Sequence, residues 1–216
     1  MELFLFIASG NTFAYNAKAR PFFSMTDALQ KLFSSAPRVK LLRLFLFNPN
    51  DWFTYAEAAN RAQTDEDDTR SEIKLFLSIG LLKRNKRGKH LRFGINESFP
   101  FLQALEDLLL NVTERGVEVR DRMKKTGAIK LIIMAGIFVG QWDSSIDLLL
   151  VGDRVRDRIF KKQIRALESE IGKEIRYVLL SNRDFFYRLN MSDKLMRDVF
   201  DYPHKIVLDR LDIGLK

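Results

Sequence analysis

The spacing of apolar residues predicts a run of helices in the first half of the chain. Apolar positions recur at helical spacing after Thr26, first in "TDALQKLF" and then in "APRVKLLRLFLFNPN", where Asn48-Pro49 ends the helix. The segment "TYAEAANRA" predicts a short helix behind a Thr54 cap.

The next segment, "TDEDDTRSEIKLFLSIG", predicts a helix that is capped by Thr64 or Asp65 and closed by Gly80. The predicted inner face carries Ile73, Phe76, Leu77 and Ile79. Apolar and polar residues then alternate in "LLKRNKRGKHLRFGIN" around a turn that contains glycine, as in a β-hairpin. Three helices followed by a basic hairpin are typical of a winged helix-turn-helix domain.

The second half of the chain has a β-α-β pattern after two connecting helices, "FPFLQALEDLLLNV" and "TERGVEVRDRMKKTG". Strands are predicted at 130–134, 147–151 and 174–180, with the amphipathic helix "DRIFKKQIRALESEIG" between the last two. Helices over "NRDFFYRL" and "SDKLMRDVF" precede a tail that contains "DYPH". The fold class is therefore α/β (α+β), with an extension at 1–24, a winged helix at 25–98, connecting helices at 99–127 and an α/β domain at 128–216.

Composition narrows the classes of function. The 216 residues are 46% hydrophobic and 30% charged, as in globular proteins, and the net charge of +8 suggests a polyanionic partner. Without cysteine, and with only two histidines, the chain offers no disulfide framework and no ordinary zinc site, so we expect neither a metal nor a cofactor. The lack of cysteine fits a reducing cytoplasm. No apolar run reaches the ~20 residues of a membrane span, and the run from Leu3 to Ala8 is too short for a signal peptide.

Basic residues crowd the predicted hairpin, and this pattern favours contact with the phosphates of double-stranded DNA. The candidate contacts on the wing are Lys83, Arg84, Lys86, Arg87, Lys89 and Arg92. A hairpin that is charged only to keep it solvated is the alternative interpretation.

We expect the helix before the hairpin to make only weak contacts with the base edges of DNA. Its first turn consists of acidic residues: Asp65, Glu66, Asp67 and Asp68. Acids at this end suit the helix dipole but are repelled by phosphates. The candidate DNA contacts of this helix are Thr69, Arg70, Ser71 and Lys74. The domain could equally serve as a protein-interaction module.

The stretch "AGIFVGQWDSSIDLLLVGD" resembles the signature of the minimal nucleotidyltransferase fold, the DNA polymerase β superfamily. In that family a Gly-Ser pair follows the first strand, two carboxylates lie on the second strand and a third lies on a later strand. The carboxylates hold two metal ions, which clamp the attacking and leaving oxygens of phosphoryl transfer. The resemblance implies a nucleotide-binding scaffold of this kind.

The resemblance also implies that the metal ligands are lost. Ala135-Gly136 stands in place of Gly-Ser, Ser145 occupies the position of the first carboxylate, and Asp147 is retained. Arg176 stands where the third carboxylate is expected, so we expect it to pair with Asp147 and replace the ion. This set is interpreted as a degenerate active site without catalytic or metal-binding residues.

The whole layout is similar to prokaryotic winged-helix proteins that carry a degenerate nucleotidyltransferase domain. The resemblance covers most of 25–214 and includes "RVKLLRLFLFNP", "DLLLVGD" and "DKLMRDVFDYPH". The first hypothesis is a DNA-binding regulator whose second domain senses a nucleotide effector or forms a homodimer. The others are an active nucleotidyltransferase that uses Asp147 and Asp143, and an assembly module that binds a basic partner.

Overall fold

A computed structural model of the chain describes residues 25–87, 89–109 and 116–213. The predicted extension at 1–24 lies outside the described residues, as does the side chain of Arg87. The first part of the fold consists of α1 (Met25–Leu32), α2 (Ala36–Leu46), α3 (Tyr55–Ala62), α4 (Glu66–Ser78), β1 (Leu82–Arg87) and β2 (His90–Ile95).

The helix boundaries follow from capping. Ser35 caps α2, and Thr54 and Glu57 form a reciprocal capping box on α3. Of the two caps proposed for α4, the structure uses Asp65, whose side chain accepts a hydrogen bond from the amide of Asp67.

Helices α2 to α4 and the β1–β2 hairpin form a winged helix. Phe53 pairs with Phe93 of β2 as a single antiparallel bridge, which joins the hairpin to the helices. Ile73 and Phe76 of α4 are buried in this core, as expected. The prediction for Ile79 is wrong: the residue is 52% exposed, because it is the C-cap and lies beyond the last regular turn of α4.

The rest of the fold consists of α5 (Leu102–Leu109), α6 (Gly116–Lys124), β3 (Ala128–Met134), a 3-10 turn (Gly136–Val139), β4 (Leu148–Asp153), α7 (Asp157–Ile171), β5 (Tyr177–Leu180), α8 (Asn182–Asn190), α9 (Lys194–Phe200) and β6 (Lys205–Asp209). The strand order is β5-β4-β3-β6, with β4 and β5 parallel and β3 antiparallel to both of its neighbours. Helices α6 and α7 pack on one face of the sheet, and α8 and α9 pack on the other.

Two expectations for this region need correction. The predicted tail contains β6, a short strand that forms at the sheet edge because β3 supplies its backbone partners. The second and third predicted strands begin later than expected, so Asp147 and Arg176 directly precede β4 and β5 instead of lying within them.

The winged helix packs against the end of α7 through a buried arginine. Arg43 of α2 is almost fully buried, and its Nη1 donates a hydrogen bond of 2.9 Å to the carbonyl oxygen of Glu170. Asn48 donates from its side chain to the carbonyl oxygen of Gly172 at 2.7 Å. Gly172 adopts φ +83°, and a Cβ there would lie 2.5 Å from the carbonyl carbon of Arg43. Only glycine allows this close approach of two backbones.

Further contacts extend this interface. Arg61 of α3 forms an ion pair with Glu174, and the Phe47 and Trp142 rings lie 5.6 Å apart between their centroids. Among the described residues, no helix is both long and apolar enough to cross a membrane.

The interface predicts a specific cost for a methyl group at Gly172. Gly172→Ala should lower the free energy of unfolding by about 1–2 kcal/mol through the left-handed backbone, and by about 1–3 kcal/mol more through the contact with Arg43. Gly80→Ala is the matched control, because Gly80 has φ +79° and no atom lies within 4 Å of the position that a Cβ would take there. Urea unfolding measures both variants, and equal losses would contradict this role of Gly172.

Candidate functional site

Asp147 is the centre of the candidate site. Its side chain is fully buried, and its two carboxylate oxygens accept four hydrogen bonds. Oδ1 accepts from the amide of Ile137 at 3.0 Å and from Nη2 of Arg176 at 2.8 Å. Oδ2 accepts from the amide of Arg176 at 2.8 Å and from its Nε at 2.9 Å. The ion pair expected between Asp147 and Arg176 is therefore present, in two-pronged geometry.

The turn after β3 is built around the same carboxylate. Gly136 has φ +51°, and a Cβ at this position would lie 2.1 Å from Oδ1 of Asp147. The glycine therefore lets the turn approach the carboxylate closely enough for the Ile137 amide to donate to it. Ala135 precedes the turn, and its amide donates to the carbonyl oxygen of Asp147 at 2.9 Å.

Arg176 links the carboxylate to the surface, since its side chain is 42% exposed. Its Nη2 also donates to the carbonyl oxygen of Trp142 at 3.2 Å. The hydrogen bonds to Asp147 hold the pKa of the guanidinium above its usual range, against the smaller opposing effect of burial. Arg176 therefore stays charged at any physiological pH.

A cleft of about 360 Å³ lies on the solvent side of this centre. Gly136 and Ser145 line it, and Ser145 Oγ donates to Oδ2 of Asp198 at 3.0 Å. Further polar lining comes from Gln141, Asp143, Lys194 and Tyr202. In the described part of the chain, no group of three or more His, Cys, Asp or Glu side chains is placed to hold a metal ion.

The arrangement determines what Asp147 can do. A carboxylate has about four lone-pair positions, and four protein donors occupy those of Asp147. A magnesium ion would have to displace Arg176, which would leave the cation without its partner. The carboxylate is thus arranged to hold three chain segments together.

The wing presents several cations to solvent. Lys83, Arg84, Lys86 and Lys89 are exposed, and none of them has an ion-pair partner among the residues that the structure describes. Among the predicted wing contacts whose side chains the structure describes, Arg92 is the exception, because it lies 3.5 Å from a carboxylate oxygen of Glu57 in α3. The wing charges are therefore mostly available to an external anion.

The predicted contacts of α4 differ in accessibility. Thr69 is unavailable to DNA because its side chain is fully buried and donates to the carbonyl oxygen of Asp65 at 2.7 Å. Arg70 is exposed, lies 3.7 Å from Glu66 and stacks over the Tyr55 ring. Ser71 and Lys74 are also exposed. The hydroxyl of Ser71 donates to a main-chain carbonyl oxygen of its own helix, whereas the side chain of Lys74 has no hydrogen-bond or ion-pair partner among the described residues.

Sequence reasoning missed three residues of the cleft. Lys194, Asp198 and Tyr202 come from α9 and the turn after it, more than 40 residues from the Gly136 turn. They lie in the segment "DKLMRDVFDYPH", which is part of the resemblance, but nothing in that segment assigns them to a cleft, and only the packing of α9 on the sheet brings them to the site. The segment "SDKLMRDVF" predicted a helix but not its position, and the structure shows Asp193 as its N-cap.

Two solved structures are similar to part of this chain. The first is reduced HlyU from Vibrio cholerae N16961, with 14% sequence identity and a TM-score of 0.29 over 39% of this chain and 90% of that one. The second is the transcriptional regulator BldR from Sulfolobus solfataricus, with 17% identity and a TM-score of 0.35 over 46% of this chain and 78% of that one. No protein-family model and no curated protein matches the chain.

The buried pair predicts a large loss of stability when the carboxylate is removed. Asp147→Ala should lower the free energy of unfolding by about 3–5 kcal/mol, because it leaves the Arg176 guanidinium and two amides without their acceptor. Asp143→Ala, at an exposed acid of the neighbouring loop, should change it by less than about 0.5 kcal/mol. Chemical unfolding compares the two, and a loss below about 1 kcal/mol for Asp147→Ala would show that the pair does not hold the fold.

Proposed function

We propose that the protein is a DNA-binding transcriptional regulator that contacts DNA mainly through its wing. The observation that carries this proposal is the set of exposed cations on the hairpin, Lys83, Arg84, Lys86 and Lys89, which have no ion-pair partner among the described residues. Unpaired lysine and arginine side chains on a projecting hairpin can neutralise phosphates and release counterions. If these charges were paired with acidic residues of the same chain, the alternative would be favoured, in which the wing is charged only to keep it soluble.

Helix α4 contributes less to this binding than the wing. Its first turn exposes Glu66, Asp67 and Asp68, which repel phosphates. Arg70 is partly neutralised by Glu66, so Lys74 is the main cation that α4 offers to DNA. We therefore expect the wing to supply most of the binding through phosphate contacts, and α4 to make few contacts with base edges.

The second domain is, in this proposal, a catalytically inactive form of the nucleotidyltransferase fold that serves in sensing or dimerisation. Two features support inactivity: Arg176 and two backbone amides saturate Asp147, and Ser145 provides a hydroxyl where the resemblance expects a carboxylate. A serine hydroxyl is a poor substitute for the carboxylates that usually hold Mg²⁺.

The cleft provides a place for an effector, and a nucleotide is the class that the resemblance suggests. Gln141, Asp143 and Ser144 line the cleft on either side of Trp142. The Trp142 ring packs against Phe47 of the winged-helix core, and its carbonyl oxygen accepts from Arg176. A ligand that moves this loop therefore acts on a contact between the two domains.

An active nucleotidyltransferase is the second candidate function. Asp143 and Asp198 favour it, because both carboxylates line the same cleft. It requires that two carboxylates reach shared metal ions, which lie a few ångströms apart in such sites.

The wing proposal predicts a salt-dependent loss of DNA affinity in a wing variant. Replacing Lys83, Lys86 and Lys89 by Ala should reduce the slope of log affinity against log salt concentration by about 0.9 for each phosphate contact removed. Fluorescence anisotropy with labelled duplex DNA over a range of salt concentrations measures the slope.

The matched control replaces three exposed lysines outside the winged helix, Lys124, Lys162 and Lys205, by Ala and loses the same net charge. This variant should keep most of the slope. If both triple variants lose the same affinity, net charge alone explains binding and the wing has no special role.

The inactive-domain proposal predicts no specific metal binding. Adding Mg²⁺ or Mn²⁺ to protein that already contains a saturating nucleoside triphosphate should leave the melting temperature unchanged, whereas a metal ion at 100 times its dissociation constant would stabilise the fold by about 2.7 kcal/mol. A metal-dependent rise in melting temperature that disappears in Asp143→Asn or Asp198→Asn would contradict inactivity and favour the active enzyme.

A further inference from the structure

Strand β5 is an unprotected edge of the sheet. The order β5-β4-β3-β6 leaves β5 and β6 with one strand neighbour each among the described residues. Strand β6 begins and ends with the exposed charges Lys205 and Asp209, and its pairing with β3 contains a register shift. Charges and irregularities of this kind prevent further strands from adding to an edge. Strand β5 has the sequence Tyr-Val-Leu-Leu and pairs with β4 in unbroken register.

Its outward backbone groups can be identified. The carbonyl oxygen of Arg176 accepts from the amides of Asp147 and Leu148, so Arg176 points towards β4. The amide and carbonyl of one strand residue point to the same side, and this side alternates along the strand. Tyr177 and Leu179 therefore direct their amides and carbonyls away from β4, where no described residue accepts or donates to them.

The helix after β5 extends this edge with an exposed stripe. Asp184, Tyr187, Arg188 and Met191 occupy positions i, i+3, i+4 and i+7 of α8 and its C-cap, and they line a groove of about 470 Å³ together with Leu180 of β5. Tyr187 is 67% exposed and Met191 is 65% exposed. Large apolar side chains beside an open strand edge are characteristic of a binding surface.

We propose that the β5 edge and the α8 stripe bind a second copy of this chain around a two-fold axis. Antiparallel pairing with Tyr177 opposite Leu179 of the second copy would use the outward amides and carbonyls of both strands. The same symmetry would bury Tyr187 and Met191 against α8 of the second copy. In an isologous interface the same surface of both subunits must complement itself. Here the outward amides and carbonyls of Tyr177 and Leu179 can pair with those of the second copy.

The charges of the stripe also favour a second copy over an unrelated partner. Asp184 and Arg188 lie one turn apart on the same side of α8. When two such helices run antiparallel, the acid of one lies near the base of the other. Arg188 already forms an ion pair of 2.5 Å with Asp193 of the same chain, so it would share its charge between Asp193 and Asp184 of the second copy.

The dimer would place the two winged helices beside the two-fold axis, at opposite ends of the antiparallel β5 pair, because Arg61 binds Glu174 just before β5 begins. If the proposed DNA binding is correct, this arrangement suits two half-sites related by symmetry. The dimer itself does not depend on DNA binding, so each proposal can fail without the other.

Light scattering on the full-length protein tests the dimer. We expect twice the chain mass of 25.2 kDa for the wild type, and at least about a tenfold rise in the dissociation constant for Tyr187→Glu and for Met191→Glu. Both side chains are mostly exposed, so these variants should keep the wild-type circular dichroism, and only the loss of the dimer should lower their melting temperature. Leu32→Glu is the matched control, because Leu32 is 67% exposed and lies outside the surface; it should remain dimeric.

A monomeric wild type would overturn the proposal, and so would a dimer that survives both α8 substitutions. Loss of the dimer in Leu32→Glu as well would point to a different interface and would also overturn it. If Tyr187→Glu changes the circular dichroism, Met191→Glu decides the result, since the two substitutions lie one turn apart on the same stripe.

Discussion

The saturated carboxylate of Asp147 is the interaction on which the second domain depends. It lies at the start of β4 and receives donors from the Gly136 turn after β3 and from Arg176 just before β5. A buried charge is tolerated only when its oxygens are hydrogen-bonded, and here one arginine and two amides fulfil this condition. The contacts that stabilise the sheet therefore occupy both oxygens of this carboxylate.

The effect of this pair reaches the winged helix through a short series of contacts. Arg176 holds the carbonyl of Trp142, and the Trp142 ring packs against Phe47. Beside it, Gly172 accepts the backbone of Arg43 at a distance that excludes any side chain. The two cores thus meet where α7 ends and β5 begins, close to the loop that lines the cleft. This arrangement gives a ligand of the cleft a direct physical connection to the domain that we propose to bind DNA.

Local patterns predicted the helices well, because caps such as Thr54 and Asp65 act within a single turn. The Asp147–Arg176 pair was predicted from the resemblance, since a cation stood where a metal ligand was expected. Long-range packing could not be predicted from the sequence. Only the structure shows that Thr69 is buried and that α9 brings Asp198 to the cleft. Edge strand β6 was missed because its pairing depends on a partner about 70 residues earlier.

The wing carries exposed cations without ion-pair partners among the described residues, and the buried carboxylate of Asp147 is fully hydrogen-bonded within the fold. The proposed DNA binding is tested most directly by mixing purified protein with sheared genomic DNA from its host, at low and at physiological salt, and sequencing the bound fraction. A DNA-binding regulator should enrich a few discrete sites that persist at physiological salt and are lost when Lys86, Arg87 and Lys89 become Ala. Uniform binding that disappears with salt would contradict a regulator and reduce the role of the wing to its charge.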